Sequence, residues 1–376
     1  MTRRYSGWMF GTFLLIILLS GCRAGVQSET VIIPDNEETD HAPQSSSSFQ
    51  VKAIYRLPDE YMNEGYWLGW DSADSIVGLF KTSGIPEQFN LKRLTYPYEH
   101  SGNIKEIRSN PQMELSPDGK YAAQTTASNT GLKIVSLKDE KETEIKTLSI
   151  GDQEYVQDIS WSGNSQYLSY LVLNASEGEK SSVHIYDMQT HASKKYEFKD
   201  FEKGDTLLSI NVSDDGRSAL FTLFESNRPE KTVIKFGRVT GSNIEIIYKH
   251  EIGREQNTWI SNDQFAFLGP DGTLYEYDQR NSELSVILEN VSAFKFSDNR
   301  KIIAYSLKGE DAVYVGKMQG RNVLYREPVY HGIVPLDTYW NMDNTKLLIQ
   351  GSNAFVNSYA VQTDFTRGPS FIIELE

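Results

Sequence analysis

The side chains of this sequence that offer metal chemistry are mainly paired carboxylates. Asp214 and Asp215 are adjacent, and Asp71 lies three residues before Asp74. Such oxygen ligands suit Ca²⁺, but neither pair follows the EF-hand loop. Both pairs fall in clusters of Ser, Asp, Asn and Gly that are typical of turns. We therefore predict turns at these positions, with no metal site and no cofactor.

Motifs for covalent catalysis and for nucleotide binding are missing from the sequence. It contains no G-x-S-x-G nucleophile elbow, no P-loop and no dinucleotide-binding glycine fingerprint. The six histidines include no pair at the short spacings of zinc ligands. Residues 116–119 resemble the sialidase Asp box only superficially, because that box has a residue between its Asp and its Gly. We predict no catalytic residue from these motifs.

The elements that position these residues come from a repeat in which an apolar segment runs into a Ser/Asp/Asn/Gly turn and then into a second apolar segment. The last apolar residues before the turns, which we call the marker residues, are Trp70, Leu115, Trp161, Val212, Ile260, Phe296 and Trp340. Successive marker residues lie 45, 46, 51, 48, 36 and 44 positions apart. This spacing is close to the roughly 40 to 50 residues of a four-stranded propeller blade.

Each turn after a marker residue, a marker turn, is predicted to join the first and second strands of a blade. The following segments, such as residues 167–173 and 218–224, are short and rich in β-branched or aromatic residues. We therefore predict an all-β protein that is a single β-propeller, with seven blades favoured and six as the alternative. Residues 51–57 and 371–375 are both predicted strands, and either could complete the last blade. Trp70, Trp161 and Trp340 occupy equivalent positions and are predicted to pack in the core.

The N-terminus has the pattern of an export signal. Arg3 and Arg4 precede an apolar stretch, residues 8–19, that is too short for a comfortable membrane span of about 20 residues. The only cysteine, Cys22, directly follows Leu-Ser-Gly, and this resembles the bacterial lipobox, whose cysteine is lipidated and becomes the first residue of the mature protein. The resemblance implies a lipoprotein anchored at the extracytoplasmic face of the cell membrane.

The chain therefore divides into three predicted parts. Residues 1–21 form the lipoprotein signal peptide, and residues 51–376 form the propeller. Residues 22–50 carry the lipidated cysteine and an acidic, Ser-rich segment that cannot bury enough apolar surface to order itself. We predict a flexible tether there, with residues 31–33 as a site of local contact.

The charge of the chain excludes one class of partner. The net charge is -14, and removal of Arg3 and Arg4 with the signal peptide changes it to -14 - 2 = -16. Nucleic-acid binding needs a basic stripe, whereas Lys92-Arg93 and Lys194-Lys195 are isolated pairs. We predict that the protein binds no nucleic acid and is a monomer.

Two segments carry a resemblance to known propellers. Residues 115–123 (LSPDGKYAA) and 212–220 (VSDDGRSAL) resemble the repeats of TolB-like and WD40-like propellers, and the resemblance covers about residues 51–376. Together with the lipobox and the acidic tether, the chain is similar to the YqgU-like propeller lipoproteins of Bacillus and its relatives. The resemblance implies the fold and the location, and it brings no catalytic residues.

Binding in a propeller usually uses the loops that enter the inner strands and those between the second and third strands. Candidate binding residues there, together with the longer segments 174–180 and 225–230, are Tyr66, Trp67, Tyr155, Gln157, Gln256, Asn257 and Tyr339. Aromatic residues with amide neighbours suit contact with protein or glycan. We therefore predict a non-catalytic binding or scaffold module for an envelope protein or a cell-wall glycan. The alternative is a glycan-acting enzyme that uses Asp158, Glu225 or Asp337 near the axis.

Overall fold

The structure is a computed structural model. It describes residues 30–31, 49–61, 65–82, 84–85, 87–108, 111–126, 129–148, 153–175, 180–198, 204–253, 256–353 and 368–376. In these residues the regular structure is β-strand apart from a single 3₁₀ turn, Asp59–Tyr61. The predicted all-β fold is confirmed. Cys22 and the predicted signal peptide lie outside the described residues.

The strands form seven blades in chain order, after two N-terminal strands. The N-terminal strands are β1 (Thr30–Val31) and β2 (Val51–Arg56). Blade 1 contains β3 (Gly65–Ser72), β4 (Ser75–Lys81), β5 (Gln88–Thr95) and β6 (Ser101–Arg108). Blade 2 contains β7 (Met113–Leu115), β8 (Tyr121–Thr125), β9 (Gly131–Ser136) and β10 (Glu142–Thr147). Blade 3 contains β11 (Glu154–Trp161), β12 (Tyr167–Asn174), β13 (Lys180–Asp187) and β14 (Ala192–Phe198).

The remaining blades repeat this order. Blade 4 contains β15 (Thr206–Val212), β16 (Ser218–Glu225), β17 (Arg228–Thr240) and β18 (Asn243–Ile252). Blade 5 contains β19 (Asn257–Ser261), β20 (Gln264–Leu268), β21 (Leu274–Asp278) and β22 (Glu283–Leu288). Blade 6 contains β23 (Val291–Phe296), β24 (Ile302–Leu307), β25 (Ala312–Gln319) and β26 (Asn322–His331). Blade 7 begins with β27 (Ile333–Trp340) and β28 (Lys346–Asn353) and continues with β29 (Ser370–Leu375).

Blade 7 closes the ring with strands from both ends of the chain. Its strand order is β27-β28-β29-β2, and β1 adds to the outer side of β2. The β2–β29 pairing is antiparallel and runs from Val51 opposite Leu375 to Arg56 opposite Phe371. Both predicted closing segments are therefore used, β29 as the third strand and β2 as the fourth. The favoured count of seven blades is confirmed, and the six-blade alternative is wrong.

Within each blade, neighbouring strands are antiparallel, and apart from β2 in blade 7 they follow the chain order from the axis outwards. One irregularity joins two blades. The outer strands of blades 3 and 4 pair in parallel at Glu197–Asn243 and Phe198–Ile244, so these blades form one eight-stranded sheet. The hydrophobic core is distributed between blades, as in the cluster of Leu171, Val183 and Leu207 from blades 3 and 4.

The marker turns all join the first and second strands of a blade, as predicted. In blade 4, Ser213 Oγ donates to Asp215 Oδ1 at 2.7 Å and accepts from the N–H of Ser218 at 3.0 Å. Equivalent bonds recur at Ser116, Ser162 and Ser297. These serines are fully buried, with at most 1% of their surface exposed. The turn is therefore fixed by a buried hydroxyl that bonds local groups.

Marker turns also contain a residue whose backbone is in the left-handed conformation. Four positions after the marker residue, φ is +68° at Gly119 and Gly216, +62° at Ser165, +59° at Arg300 and +58° at Asn344. Glycine adopts this conformation without steric cost, whereas other residues are strained by it. The glycines of blades 2 and 4 therefore suit the backbone conformation that these turns require.

Tryptophans connect the inner strands of neighbouring blades. Trp161 Nε1 donates to the carbonyl oxygen of Glu114 in the preceding blade at 3.1 Å. The same bond joins Trp70 to Tyr339, Trp259 to Asn211 and Trp340 to Lys295. The predicted packing role of Trp70, Trp161 and Trp340 is confirmed by their exposures of 4%, 7% and 6%. In blade 5 the residue in this position is Trp259, one before the predicted marker Ile260.

Candidate binding face and axial channel

The ring has two faces that carry different connections. Because successive strands of a blade alternate in direction, all marker turns lie on one face together with the hairpins between third and fourth strands. We call this the turn face. The opposite face, the loop face, carries the connections between second and third strands and the segments that enter the inner strands.

The seven inner strands enclose the ring axis, and we call the enclosed space the axial channel. Side chains alternate along a strand, so the residues one and three positions before a marker residue share a side. In blade 5 we count from Trp259 instead of Ile260. The residues one position before the markers are Gly69, Glu114, Ser160, Asn211, Thr258, Lys295 and Tyr339. The partly buried residues three positions before the markers are Gln112, Asp158, Ser209, Gln256 and Asp337. The channel is therefore lined mainly by polar side chains.

Four charged side chains meet in the channel and form what we call the axial charge cluster: Glu114, Asp158, Lys295 and Asp337. The pKa of Glu114 is raised to about 7, first by removal from bulk water and then by the charges of Asp158 and Asp337, whereas the charge of Lys295 opposes the rise. The side chains of Glu114 and Lys295 retain exposed surface inside the channel, but protein surrounds them. Burial likewise lowers the pKa of Lys295. A carboxyl group that titrates near neutral pH is thus held at the axis.

Other contacts hold members of this cluster in place. Asp158 Oδ2 accepts a hydrogen bond from the N–H of Ile210 in the next blade at 3.0 Å. Lys295 Nζ lies 6.0 Å from the ring centroid of Tyr339, within the range of a cation–π contact. The cluster is therefore built on the inner strands rather than on loops.

Arg300 crosses the turn-face end of the channel. A Cβ atom placed on Gly163 would lie 3.1 Å from Asp214 Oδ1 and 3.6 Å from Arg300 Nη2. Arg300 belongs to blade 6 and Gly163 to blade 3, which are not neighbours in the ring. Burial lowers the pKa of Arg300, and the charges of Asp298 and Asp214 oppose this effect. The guanidinium group therefore narrows the channel at the turn face.

Trp67 is a core residue, and its prediction as part of an exposed binding surface is wrong. Only 1% of its surface is exposed, its indole Nε1 donates to Ser370 Oγ at 3.1 Å, and its ring lies 4.9 Å from that of Phe80. The reason is a β-bulge at Leu68, two residues before the marker Trp70. The bulge turns Trp67 to the same side as Trp70. In blades 3, 4, 6 and 7 the bulge lies four residues before the marker.

Tyr66 and Tyr339 lie in seams between blades. Tyr66 Oη donates to the carbonyl oxygen of Pro111 in blade 2 at 3.4 Å, and Tyr339 Oη donates to that of Trp67 at 3.2 Å. Both side chains are half-buried. They keep part of their surface accessible but also contribute to the contacts between blades.

Gln157 and Gln256 each have a buried amide oxygen that accepts no hydrogen bond from the residues that the structure describes. Gln157 is the bulged residue of β11, and its Nε2 donates to the carbonyl oxygen of Leu207 at 2.9 Å. Gln256 directly precedes β19. Tyr155, near the loop-face end of β11, and Asn257, at the start of β19, are half-buried. These residues come from blades 3 and 5, so the structure does not bring all of them together.

Glu225 does not lie near the axis, contrary to the prediction. Its carboxylate accepts from Lys249 Nζ at 2.6 Å, and Lys249 is on the outer strand of blade 4. Lys235 Nζ lies 3.8 Å from it. The prediction of a long loop over residues 225–230 is also wrong, because β16 ends at Glu225 and β17 begins at Arg228. Most of the other predicted long loop, residues 174–180, lies outside the described residues.

The other two predicted carboxylates, Asp158 and Asp337, do line the channel.

The acidic pairs of the marker turns are engaged in local bonds. Asp71 Oδ2 accepts from Arg93 Nε at 2.5 Å, and Asp74 pairs with Lys346. Asp214 Oδ1 accepts from the N–H of Asn164 at 2.8 Å. In the described part of the chain, no three His, Cys, Asp or Glu side chains are grouped so that they could hold a metal ion.

Among the residues that the structure describes, no helix has the length and apolar character needed to cross a bilayer. The predicted signal segment, residues 8–19, is not among them.

Sequence reasoning missed Glu114, Lys295 and Arg300. Glu114 and Lys295 each lie one residue before a marker residue, and this position in the repeat could have identified them as lining the axis. Arg300 occupies the turn position that glycine holds in blades 2 and 4.

No protein-family model and no curated protein matches the chain. Solved structures do. Oligogalacturonate lyase in complex with manganese is 11% identical, with a TM-score of 0.63 over 93% of this chain and 98% of that one. The WD40 repeats of RRP9 are 12% identical, with a TM-score of 0.56 over 89% of this chain and 99% of that one. TolB from Acinetobacter baumannii is 13% identical over 70% of this chain and 65% of that one, with a TM-score of 0.42. At these identities the likeness concerns the fold alone: the chain is a β-propeller with WD40 propellers among its structural neighbours.

Proposed function

We propose that the protein is a lipoprotein, anchored through Cys22 at the extracytoplasmic face of the cell membrane, whose monomeric propeller is a non-catalytic binding module. Its partner is an envelope protein or a cell-wall glycan. The observation that carries the proposal is the pair of buried, unpartnered amide oxygens of Gln157 and Gln256.

A buried acceptor without a donor costs about 1–3 kcal/mol of stability. On binding, rotation of the glutamine side chain would bring such an oxygen to a glycan hydroxyl or a peptide N–H, and the new hydrogen bond would remove this cost. The half-buried Tyr155 and Asn257 offer an aromatic surface and a further amide close to the same strands. The loop-face ends of blades 3 and 5 therefore combine unmet hydrogen-bonding capacity with amphipathic contact area.

The N-terminal segment joins the ring at the outer edge of blade 7. The carbonyl oxygen of Gln50 accepts from the N–H of Glu376, and the N–H of Leu375 donates to the carbonyl oxygen of Thr345 in a marker turn, so β2 begins at the turn face. Because β1 is antiparallel to β2, with Thr30 opposite Tyr55, the chain that follows Cys22 enters β1 towards the loop-face end of β2. In the proposed arrangement the anchored segment therefore lies at the rim of blade 7, and the partner binds at blades 3 and 5.

Site-specific photo-crosslinking in intact envelopes tests the proposal. A photoreactive residue at position 155 should capture one discrete partner, whereas the same residue at Lys301 on the turn face should not. Substitution Gln157→Ala should reduce the yield at position 155. Equal capture at both positions would contradict the assignment of the loop face.

The anchoring is tested separately by Cys22→Ala. Because the charge of the propeller gives it no attraction to an anionic bilayer, we expect the variant to leave the detergent phase and to remain unprocessed or appear as a soluble form. Wild-type partitioning of this variant would contradict the lipoprotein assignment.

A second candidate function is favoured by the axial charge cluster. With a pKa of about 7, Glu114 could donate or accept a proton at neutral pH, and Asp158 and Asp337 lie close enough to interact with its charge. This supports a glycan-acting enzyme with its site in the channel. Cleavage of an envelope glycan by the purified protein, abolished by Glu114→Gln in a folded variant, would favour this function over the binding module.

A further inference from the structure

A cavity outside the channel lies between the outer hairpins of blades 1 and 2. We call it the rim groove. Its volume is about 230 Å³, and its polar and charged lining residues are Arg93, Thr95, His100, Asn103, Lys138 and Glu140. It opens beside the turn face, far from the loop-face residues described above. This site is therefore independent of the proposed function.

Both walls of the groove are fixed by the fold. The β5–β6 connection contains Tyr98, which is fully buried and whose ring lies 5.4 Å from that of Tyr55. In the β9–β10 turn, the N–H of Ser136 donates to the carbonyl oxygen of Lys141 at 2.9 Å, and the N–H of Glu140 donates to that of Ser136 at 3.0 Å. The groove is thus formed before any ligand binds.

Arg93 is held in one orientation at the base of the groove. Its Nε donates to Asp71 Oδ2 at 2.5 Å, and its Nη2 donates to the carbonyl oxygen of Leu137 in the next blade at 3.2 Å. A guanidinium group has five N–H donors. Three of those on Arg93 have no partner among the described residues. A fixed guanidinium with free donors is suited to bind a carboxylate or a phosphate.

The other charges determine how strongly an anion is attracted. Asp71 neutralises the charge of Arg93, and Glu140 opposes the charge of the exposed Lys138. These charges of the groove therefore balance on a chain with a net charge of -14. The attraction for an anion comes from the directed donors of Arg93 and from the nearby ammonium group of Lys138. Thr95 and Asn103 add a hydroxyl and an amide, which can bond the hydroxyl groups of a ligand.

We propose that the rim groove binds a small anion that also carries hydroxyl groups, namely a sugar bearing a carboxylate or a phosphate. Arg93 supplies the directed donors, Lys138 supplies the charge, and Thr95 with Asn103 contacts the hydroxyls. The ligand is bound without chemical change.

The test is titration calorimetry of the purified protein with glucuronate, glucose 6-phosphate and glucose. We expect at least one of the two anions to bind, and glucose to bind at least about tenfold more weakly. Binding of only one anion identifies which group the site selects. Glucose binding as tightly as both anions, or no anion binding at about 10 mM, overturns the proposal.

Three variants locate the site. Arg93→Lys keeps the charge beside Asp71 but loses the fork of donors, so affinity should fall about tenfold. Lys138→Gln alters an exposed residue and should weaken binding several-fold without affecting folding. Lys301→Gln, an exposed lysine on the turn face of blade 6, is the control and should leave affinity unchanged. Wild-type affinity in folded Arg93→Lys and in Lys138→Gln would overturn the assignment to this groove.

Discussion

The marker turns of the turn face and the loop-face ends of the inner strands belong to the same strands but differ in how their polar groups are satisfied. On the turn face, marker turns bond one another across the seams. The N–H of Asp118 donates to Ser165 Oγ at 3.0 Å, that of Asp215 to Asn262 Oδ1 at 3.2 Å and that of Asp298 to Asn344 Oδ1 at 3.0 Å. At the loop-face side of the inner strands, Gln157 and Gln256 have buried oxygens without a described partner. The repeated residues thus stabilise the ring, and the residues that do not repeat are the candidates for binding.

The largest expected effect is on the turn face, from Gly119→Val. A Cβ at Gly119 would lie 2.5 Å from the Asp71 Cα, whereas one at Gly216 would lie 2.8 Å from the ring of Tyr167, which can move. Because φ is +68° at both glycines, we expect Gly119→Val to lower the free energy of unfolding by about 3 kcal/mol and Gly216→Val to lower it by less.

Chemical denaturation measures this difference. Gly241→Val is the control, since φ there is +64° but no atom lies within 4 Å of the added Cβ. A loss at Gly119 no larger than that at Gly241 would show that close packing of the marker turns is not what stabilises this face.

A moderate effect is expected from Ser213→Ala. The substitution removes the buried hydroxyl and leaves the N–H of Ser218 without its acceptor, which should cost about 1–2 kcal/mol. Ser226→Ala, at an exposed position on the loop face of the same blade, should change stability by less than about 0.5 kcal/mol. If thermal unfolding showed equal losses of stability for Ser213→Ala and Ser226→Ala, the contrast between the faces would be contradicted.

A pH-dependent effect is expected in the channel between the two faces. The pKa of Glu114 is about 7 in the folded protein, above the ordinary value of 4.5. The folded state therefore binds this proton more tightly, and the contribution to stability is lost as the pH rises from about 4.5 through about 7. Glu114→Gln should gain stability relative to wild type at pH 8 compared with pH 5. Parallel stability–pH curves for the two proteins would contradict the assigned environment.

The smallest effect on stability is expected on the loop face, from Gln256→Leu. Replacing an unpartnered buried amide by an apolar side chain of similar size should leave stability unchanged or raise it by up to about 1 kcal/mol. The same change should weaken capture of the partner by crosslinking. A clear loss of stability would show that the amide oxygen is satisfied within the protein.

The fold was predictable because the chemistry of each marker turn is local. A serine followed by Asp or Asn two residues later bonds its own turn, whatever the rest of the chain does. The predicted marker was displaced by one residue only at Ile260, where the turn is shorter and Trp259 takes the packing position. Ring closure was left open because strand pairing between residues 51 and 375 depends on the whole circle.

The candidate site was less predictable because it depends on bulges and on contacts between distant blades. A bulge changes the side to which Trp67 points without an evident sequence signal. Glu225 was misplaced because Ser226 and Asn227 form a tight turn where a long loop was predicted. The axial charge cluster joins blades 2, 3, 6 and 7, so no local pattern reveals it.

The closure of blade 7 by β2 determines how a mechanical load would enter the domain. If Cys22 anchors the chain, a partner that pulls on the loop face puts the segment between Cys22 and β2 under tension. The two-residue strand β1 would separate first. The force would then run along β2, which lies antiparallel to β29 from Val51 to Arg56, and would load these hydrogen bonds together rather than one at a time. The strand that completes the ring would thus also be the element that resists shear.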